Sequence, residues 1–359
     1  MIVRSFPILA ILAFGGPAIA SEPPDFGPVV ERSVAQLVQN YGALVEAATA
    51  QEEATKTLCE DPSQTGLQRA RSQFADLVGA WAAVEMVRFG PAREANRYER
   101  LFFWPDRRGR GLRQVQKILA TEDPTARTAE ALGGKSVAVQ GLPALEFVLF
   151  GTGSDSLSTE GGFRCEYGGA IASRIATVSD EILAGWTKPD GYAAAMTDFG
   201  PDNPLYRSGG EAFQELLRAA NEQIQIVRDL KIGAAIGDAP AEAKPKRAPL
   251  WRSNLTLPMI VSNMEAVETL LSEAALEGLL GSDDAWIARS VAFELRTAKS
   301  VVTELSGADP DWTVLVTDTK AHQRLAYTRI PLASVGMTLT EAMPGALGLI
   351  LGFNSLDGD

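Results

Sequence analysis

The chain has 359 residues, 46% of them hydrophobic and 22% charged, with a formal net charge of −12, one histidine and two cysteines. Such an acidic balance excludes nucleic-acid binding through the overall field and tolerates cationic partners, metal ions included, better than anionic ones. A single histidine, His322, excludes a zinc site of the H-E-x-x-H kind, which needs two on one helix face.

The opening MIVRSFPILAILAFGGPAIASEPP carries one early cation (Arg4), an apolar run from Phe6 to Phe14 and AIA before Ser21. That is the layout of a secretory signal peptide over residues 1–20; the alternative is a buried N-terminal helix. The run is too short for a mature transmembrane helix, and no other segment has the length of a membrane span. The mature chain of about 339 residues is therefore expected to be exported, with a net charge of −13 once Arg4 is removed. It is long for one hydrophobic core, so two domains are expected.

Helical periodicity dominates the rest of the chain. Val30, Val34, Leu37, Val38, Tyr41, Leu44 and Ala48 predict an amphipathic helix over 29–48. Further helices are expected over 66–89, over 142–150, and from Cys165 through Trp186. Gly and Pro then cluster in KPDGY and DFGPDNPLYRSGGE. This break separates an N-terminal bundle (26–200) from a C-terminal one (205–359), with the boundary near residue 205. In the second half, helices are expected over 209–231, 253–280, 284–305 and 309–328. Between the first two of these, GDAPAEAKPKRAPL reads as an exposed loop. WTVLVTDT (312–319) is the best strand candidate, although DPDW before it reads as a capped helix start with Pro310 at the first position. The pattern predicts an all-α protein of two up-down helical bundles, symmetric in pattern though not in exact sequence.

In an exported protein, a lone pair such as Cys59 and Cys165 usually forms a disulfide. Closing a loop of over a hundred residues is worth about 4–5 kcal/mol in the chain-entropy model. The alternative, two thiols in a metal or redox role, lacks any CxxC spacing.

The inventory restricts the chemistry further. No nucleophile elbow, Walker loop or G-x-G-x-x-G is present. His322, in the Lys/Arg-rich TDTKAHQRLAY, reads as a surface helix residue. Any metal would rest on oxygen ligands, which favour hard cations such as iron or calcium. The closing GFNSLDGD offers Asn354, Asp357 and Asp359 at short spacing. They read either as a cation site or as caps of a helix or turn.

Two further stretches are denser than packing requires. Residues 89–119 mix Arg93, Arg97, Arg100, Arg107 and neighbouring arginines with Phe102, Phe103, Trp104 and Asp106. This is a local positive patch suited to a carboxylate or other anion, or else a set of internal ion pairs. In VQGLPALEFVLFG (139–151), Gly141 and Pro143 suit a helix start. Glu146 lies on or beside the buried face, where a carboxylate must be paired, metal-bound or protonated.

Taken together, RFGP…FFWPD (88–106), GLPALEFVLFG (141–151), RCEYGGAIASRIA (164–176), WRSNLTLPMIVSNMEAVETLL (251–271) and the closing GFNSLDGD resemble the imelysin family, which includes insulin-cleaving and iron-regulated proteins of bacteria. The resemblance implies two pseudo-symmetric helical bundles, export to the periplasm or outer surface, a link to iron uptake and a metallopeptidase label. The family motif G-x-H-x-x-E reads here Gly141-Leu142-Pro143-Ala144-Leu145-Glu146, with proline in the histidine position. Glu146 is thereby read as the partner of an arginine from 88–113, with Glu146 and Asp357 kept as candidate metal ligands. The expected function is a non-enzymatic binding or accessory protein linked to iron or another metal. Its expected partners are a metal ion or small ligand and an outer-membrane or periplasmic uptake component. The alternative is a metallopeptidase-like hydrolase.

Overall fold

The computed structural model describes residues 24–272, 275–276, 278–308 and 311–349. The expected leader, Pro310, Asn354, Asp357 and Asp359 lie outside them. Among the described residues every regular element is helical, and no helix is long and apolar enough to cross a membrane.

The first helix, α1, spans Gly27–Glu60, twelve residues beyond the predicted end. Its buried face continues through Gln51, Ala54, Thr55 and Leu58. The Gln51 amide donates to Thr55 Oγ1 at 2.9 Å, and that hydroxyl donates to the Gln51 carbonyl at 2.8 Å. Local hydrogen bonds thus let polar residues occupy core positions where the apolar pattern lapses. The next helix, α2 (Gln64–Val84), starts at Ser63, whose side chain accepts the N–H of Gly66. A short helix, α3 (Arg110–Thr121), precedes α4 (Gly141–Phe150) and the long α5 (Gly162–Thr187). The helices α1, α2, α4 and α5 pack on one another. The predicted disulfide is present: Cys59 at the end of α1 is bonded to Cys165 at the start of α5, with Cα atoms 5.5 Å apart.

Past residue 205, α6 (Gly209–Gln225) begins at Ser208, which accepts the Glu211 N–H. It continues into a π-helical segment, Ile226–Gly233. The segments α7 (Thr256–Leu270), α8 (Trp286–Gly307) and α9 (Thr319–Met337) complete this half. The strand candidate is helical: Asp311 caps a short helix, Trp312–Leu315, and Asp318 caps α9 by accepting the Ala321 N–H. Two aspartate caps in quick succession split the single helix expected over 309–328. The core is continuous across the two halves, with α2 packed against α7 and α1 against α6.

His322 is buried, against expectation. Its Nε2 lies 3.1 Å from the carbonyl of Ile236, so the imidazole satisfies a backbone acceptor at a helix end. The charged neighbours that suggested a surface position point outward instead. The 237–250 segment also departs from the exposed loop expected of it. Lys244, Lys246 and Arg247 are exposed, but Ala248, Pro249 and Leu250 are buried.

Candidate functional site

Helix α4 starts where the chain passes under residues 100–101. Gly141 has φ +76°, and a Cβ there would lie 2.3 Å from the Arg100 carbonyl oxygen and 2.5 Å from that of Leu101. Glycine is needed both for the left-handed backbone and for the close approach. Pro143 follows in the first turn, where its missing N–H costs no helical bond.

One turn later Glu146 is buried, at 2% exposure. Its partners come from the other half of the chain. Oε1 accepts the N–H of Arg252 at 2.9 Å and the N–H of Ser253 at 3.0 Å. The Ser253 hydroxyl is 3.0 Å both from that oxygen and from the Leu250 carbonyl, and donates to one of them. The Arg252 guanidinium stands 3.7 Å from Oε2. The arginine beside Glu146 is thus Arg252, not one from 88–113. Burial raises the Glu146 carboxyl above its ordinary range, opposed by the Arg252 charge and by the donors on Oε1. The turn that supplies these donors is bracketed by Leu250 (φ +53°) and Asn254 (φ +59°). Left-handed backbone costs about 1–2 kcal/mol at a residue with a Cβ. The carboxylate in this backbone nest offsets part of that cost.

Around this clasp lies a cleft of about 1180 Å³. Trp104, Asp106, Arg107, Pro143 and Glu146, all singled out from sequence, line it, whereas Gly141 acts through the backbone and does not. The Asp106 carboxylate accepts the N–H groups of Arg110, Gly111 and Leu112 and so caps α3. Trp104 donates its indole N–H to the Arg247 carbonyl at 3.2 Å, and Trp312 donates to that of Pro245 at 2.9 Å. These two indoles fix the 244–252 segment as the far wall. Arg252 lies over the Trp251 ring at 4.3 Å and the Phe147 ring at 5.4 Å, and Lys246 lies 5.4 Å over Trp251.

Behind the cleft wall sits a buried polar cluster that sequence reasoning missed. Lys231 Nζ is 2.5 Å from Glu85 Oε2 and 2.6 Å from Asn263 Oδ1, and Asn263 donates to Glu85 Oε2 at 2.9 Å. All three side chains are fully buried. Burial lowers the Lys231 ammonium from its ordinary value, and Glu85 opposes that shift. Phe102, which lines the cleft, lies 5.9 Å from Lys231 Nζ. Within 88–113, Arg97 pairs with Glu94 and Glu181 and Arg88 with the Tyr98 hydroxyl, while Arg100 donates to the Ala95 and Gly133 carbonyls.

A hard cation does not fit Glu146 as it is held. One oxygen already takes two backbone N–H donors, the other faces a guanidinium, and Pro143 supplies no ligating atom. Among the described residues no group of three His, Cys, Asp or Glu side chains is placed to hold a metal.

A family model described as Imelysin (Peptidase_M75) matches residues 37–330. Two solved structures are similar. One is an imelysin-like protein from Psychrobacter arcticum 273-4, 20% identical, with a TM-score of 0.76, covering 92% of this chain and 99% of that one. The other is described as an iron-regulated protein A precursor from Parabacteroides distasonis ATCC 8503, 15% identical, with a TM-score of 0.68, covering 89% and 97%. At these identities the likeness shows the fold. No curated protein matches the chain.

Proposed function

The chain belongs to the imelysin family, and from that premise we propose that it is an exported, non-enzymatic binding or accessory protein whose ligand occupies the cleft between residues 102–147 and 230–252. The observation that carries this reading is the state of the motif. Pro143 stands in the histidine position, and Glu146 is engaged in holding the 250–254 turn, so the motif shapes a cleft wall and does not present a metal. A cleft of about 1180 Å³ has room for a small molecule, somewhat above the range of about 300–1,000 Å³ common for ligand pockets. A division into bundles over 26–200 and 205–359 with the site at their junction belongs to the same proposal. So do the signal peptide over 1–20, a periplasmic or outer-surface location, and a role in iron or other metal uptake beside a membrane-associated uptake component. The iron link is supported by the description of the Parabacteroides neighbour as iron-regulated.

Calorimetric titration of the mature chain with ferric citrate, Fe²⁺ and Ca²⁺ tests the reading, alongside incubation with unfolded protein substrates with and without chelator. Saturable binding without cleavage is expected. No heat and no thermal shift with any of the three would overturn it. So would chelator-sensitive cleavage that is lost in Glu146→Gln, which would restore the peptidase reading.

A further inference from the structure

The charge in the cleft is opposite to that of the molecule. Five cationic side chains, Arg107, Lys244, Lys246, Arg247 and Arg252, line it against two carboxylates, in a chain of net charge −12. Both carboxylates are already used: Asp106 caps α3, and Glu146 holds the 250–254 turn. Of the five cations, only Arg252 has a carboxylate within ion-pair distance among the described residues, and that contact is 3.7 Å long. The guanidinium is instead held in place by the Trp251 and Phe147 rings. Phe103 and Trp104, both partly exposed, add flat apolar surface to the lining.

We infer that the cleft takes a small anion with a flat, unsaturated body: its charged group meets Arg252 and the Lys244–Arg247 rim, and its planar part lies among the aromatic walls. Guanidinium groups suit carboxylates and other oxyanions through paired N–H donors, and aromatic walls supply contact area with defined stacking geometry. Any iron carried here would then arrive as an anionic chelate and not as a bare ion. The inference rests on the reading of the cleft as a ligand site.

The test titrates 2-naphthoate, its neutral counterpart 2-naphthamide, Fe²⁺ and Ca²⁺ into the mature wild-type chain, Arg252→Met and Lys244→Gln/Arg247→Gln. Thermal melts of each variant report folding. One saturable 2-naphthoate site that weakens with added salt is expected, with the amide at least about tenfold weaker. Arg252→Met should lose about tenfold and the double rim variant about fivefold. The rim residues are exposed, so that variant is informative even if Arg252→Met does not fold. Equal affinity for amide and carboxylate, or 2-naphthoate binding unchanged in the variants, overturns the inference. Fe²⁺ or Ca²⁺ binding with no 2-naphthoate binding also overturns it while leaving the binding-protein reading intact. No binding by these probes or by ferric citrate removes both.

Discussion

The carboxylate of Glu146 accepts the backbone N–H of Arg252 at 2.9 Å, across 106 residues of chain. That bond and its companion from Ser253 join the motif helix to the far wall of the cleft. Glu146→Ala leaves two partly buried N–H groups without their acceptor, at about 1–3 kcal/mol for each unsatisfied group. A loss of about 3 kcal/mol is expected in urea unfolding, and a change below about 0.5 kcal/mol would contradict the clasp.

The pH dependence of the same residue has a defined sign. Its folded-state pKa is raised by burial above the ordinary 4.5. The associated stability is fully present below the unfolded value and is lost as pH rises through the folded one. Glu146→Gln does not titrate. Wild type should therefore lose stability relative to Glu146→Gln as pH rises from the ordinary carboxylate range through the raised folded value, measured as the difference between their urea midpoints at each pH.

Gly141→Ala combines a positive φ with a Cβ placed 2.3 Å from a carbonyl oxygen. Destabilisation of more than about 3 kcal/mol is expected, in the range where single substitutions are exceptional. Wild-type-like thermal unfolding of this variant would show that residues 100–101 do not press on the helix start.

The Glu85–Lys231 pair is fully buried. Lys231→Met leaves Glu85 as a buried charge without its cation and should cost about 3–5 kcal/mol. Adding Glu85→Leu removes that charge and should recover at least half of the loss, as a double-mutant cycle would show.

Opening the Cys59–Cys165 bridge by a double serine substitution frees a loop with a sequence separation of 106. The expected loss is about 4–5 kcal/mol in the chain-entropy model. Wild type in strong reductant should show a matching shift of its unfolding midpoint.

The helical class, the disulfide and most helix starts were legible because each depends on local spacing or on one unambiguous residue pair. Trp104, Asp106, Arg107 and Glu146 were legible as a group worth watching, but their common cleft was not. Its other wall, Lys244–Arg252, lies about a hundred residues or more downstream and reads locally as a Pro/Lys-rich loop. Arg252 and Ser253 stood inside the WRSNL run without any spacing that ties them to Glu146. His322 misled for a related reason: its charged neighbours are genuinely exposed, and only the position of Ile236 turns this one residue inward. Gln51 and Thr55 ended the predicted first helix early because their mutual hydrogen bonds replace the apolar signal.

The most direct measurement is a crystal structure of the mature protein grown with ferric salicylate, whose chelator is a planar anion, with anomalous diffraction collected at the iron edge. The expected result is an iron signal inside the cleft, carried by its chelator beside Arg252 and the Lys244–Arg247 rim, with Glu146 still holding the 250–254 turn. Iron bound directly to Glu146 as a bare ion, or bound only outside the cleft, would contradict a site built for an anion.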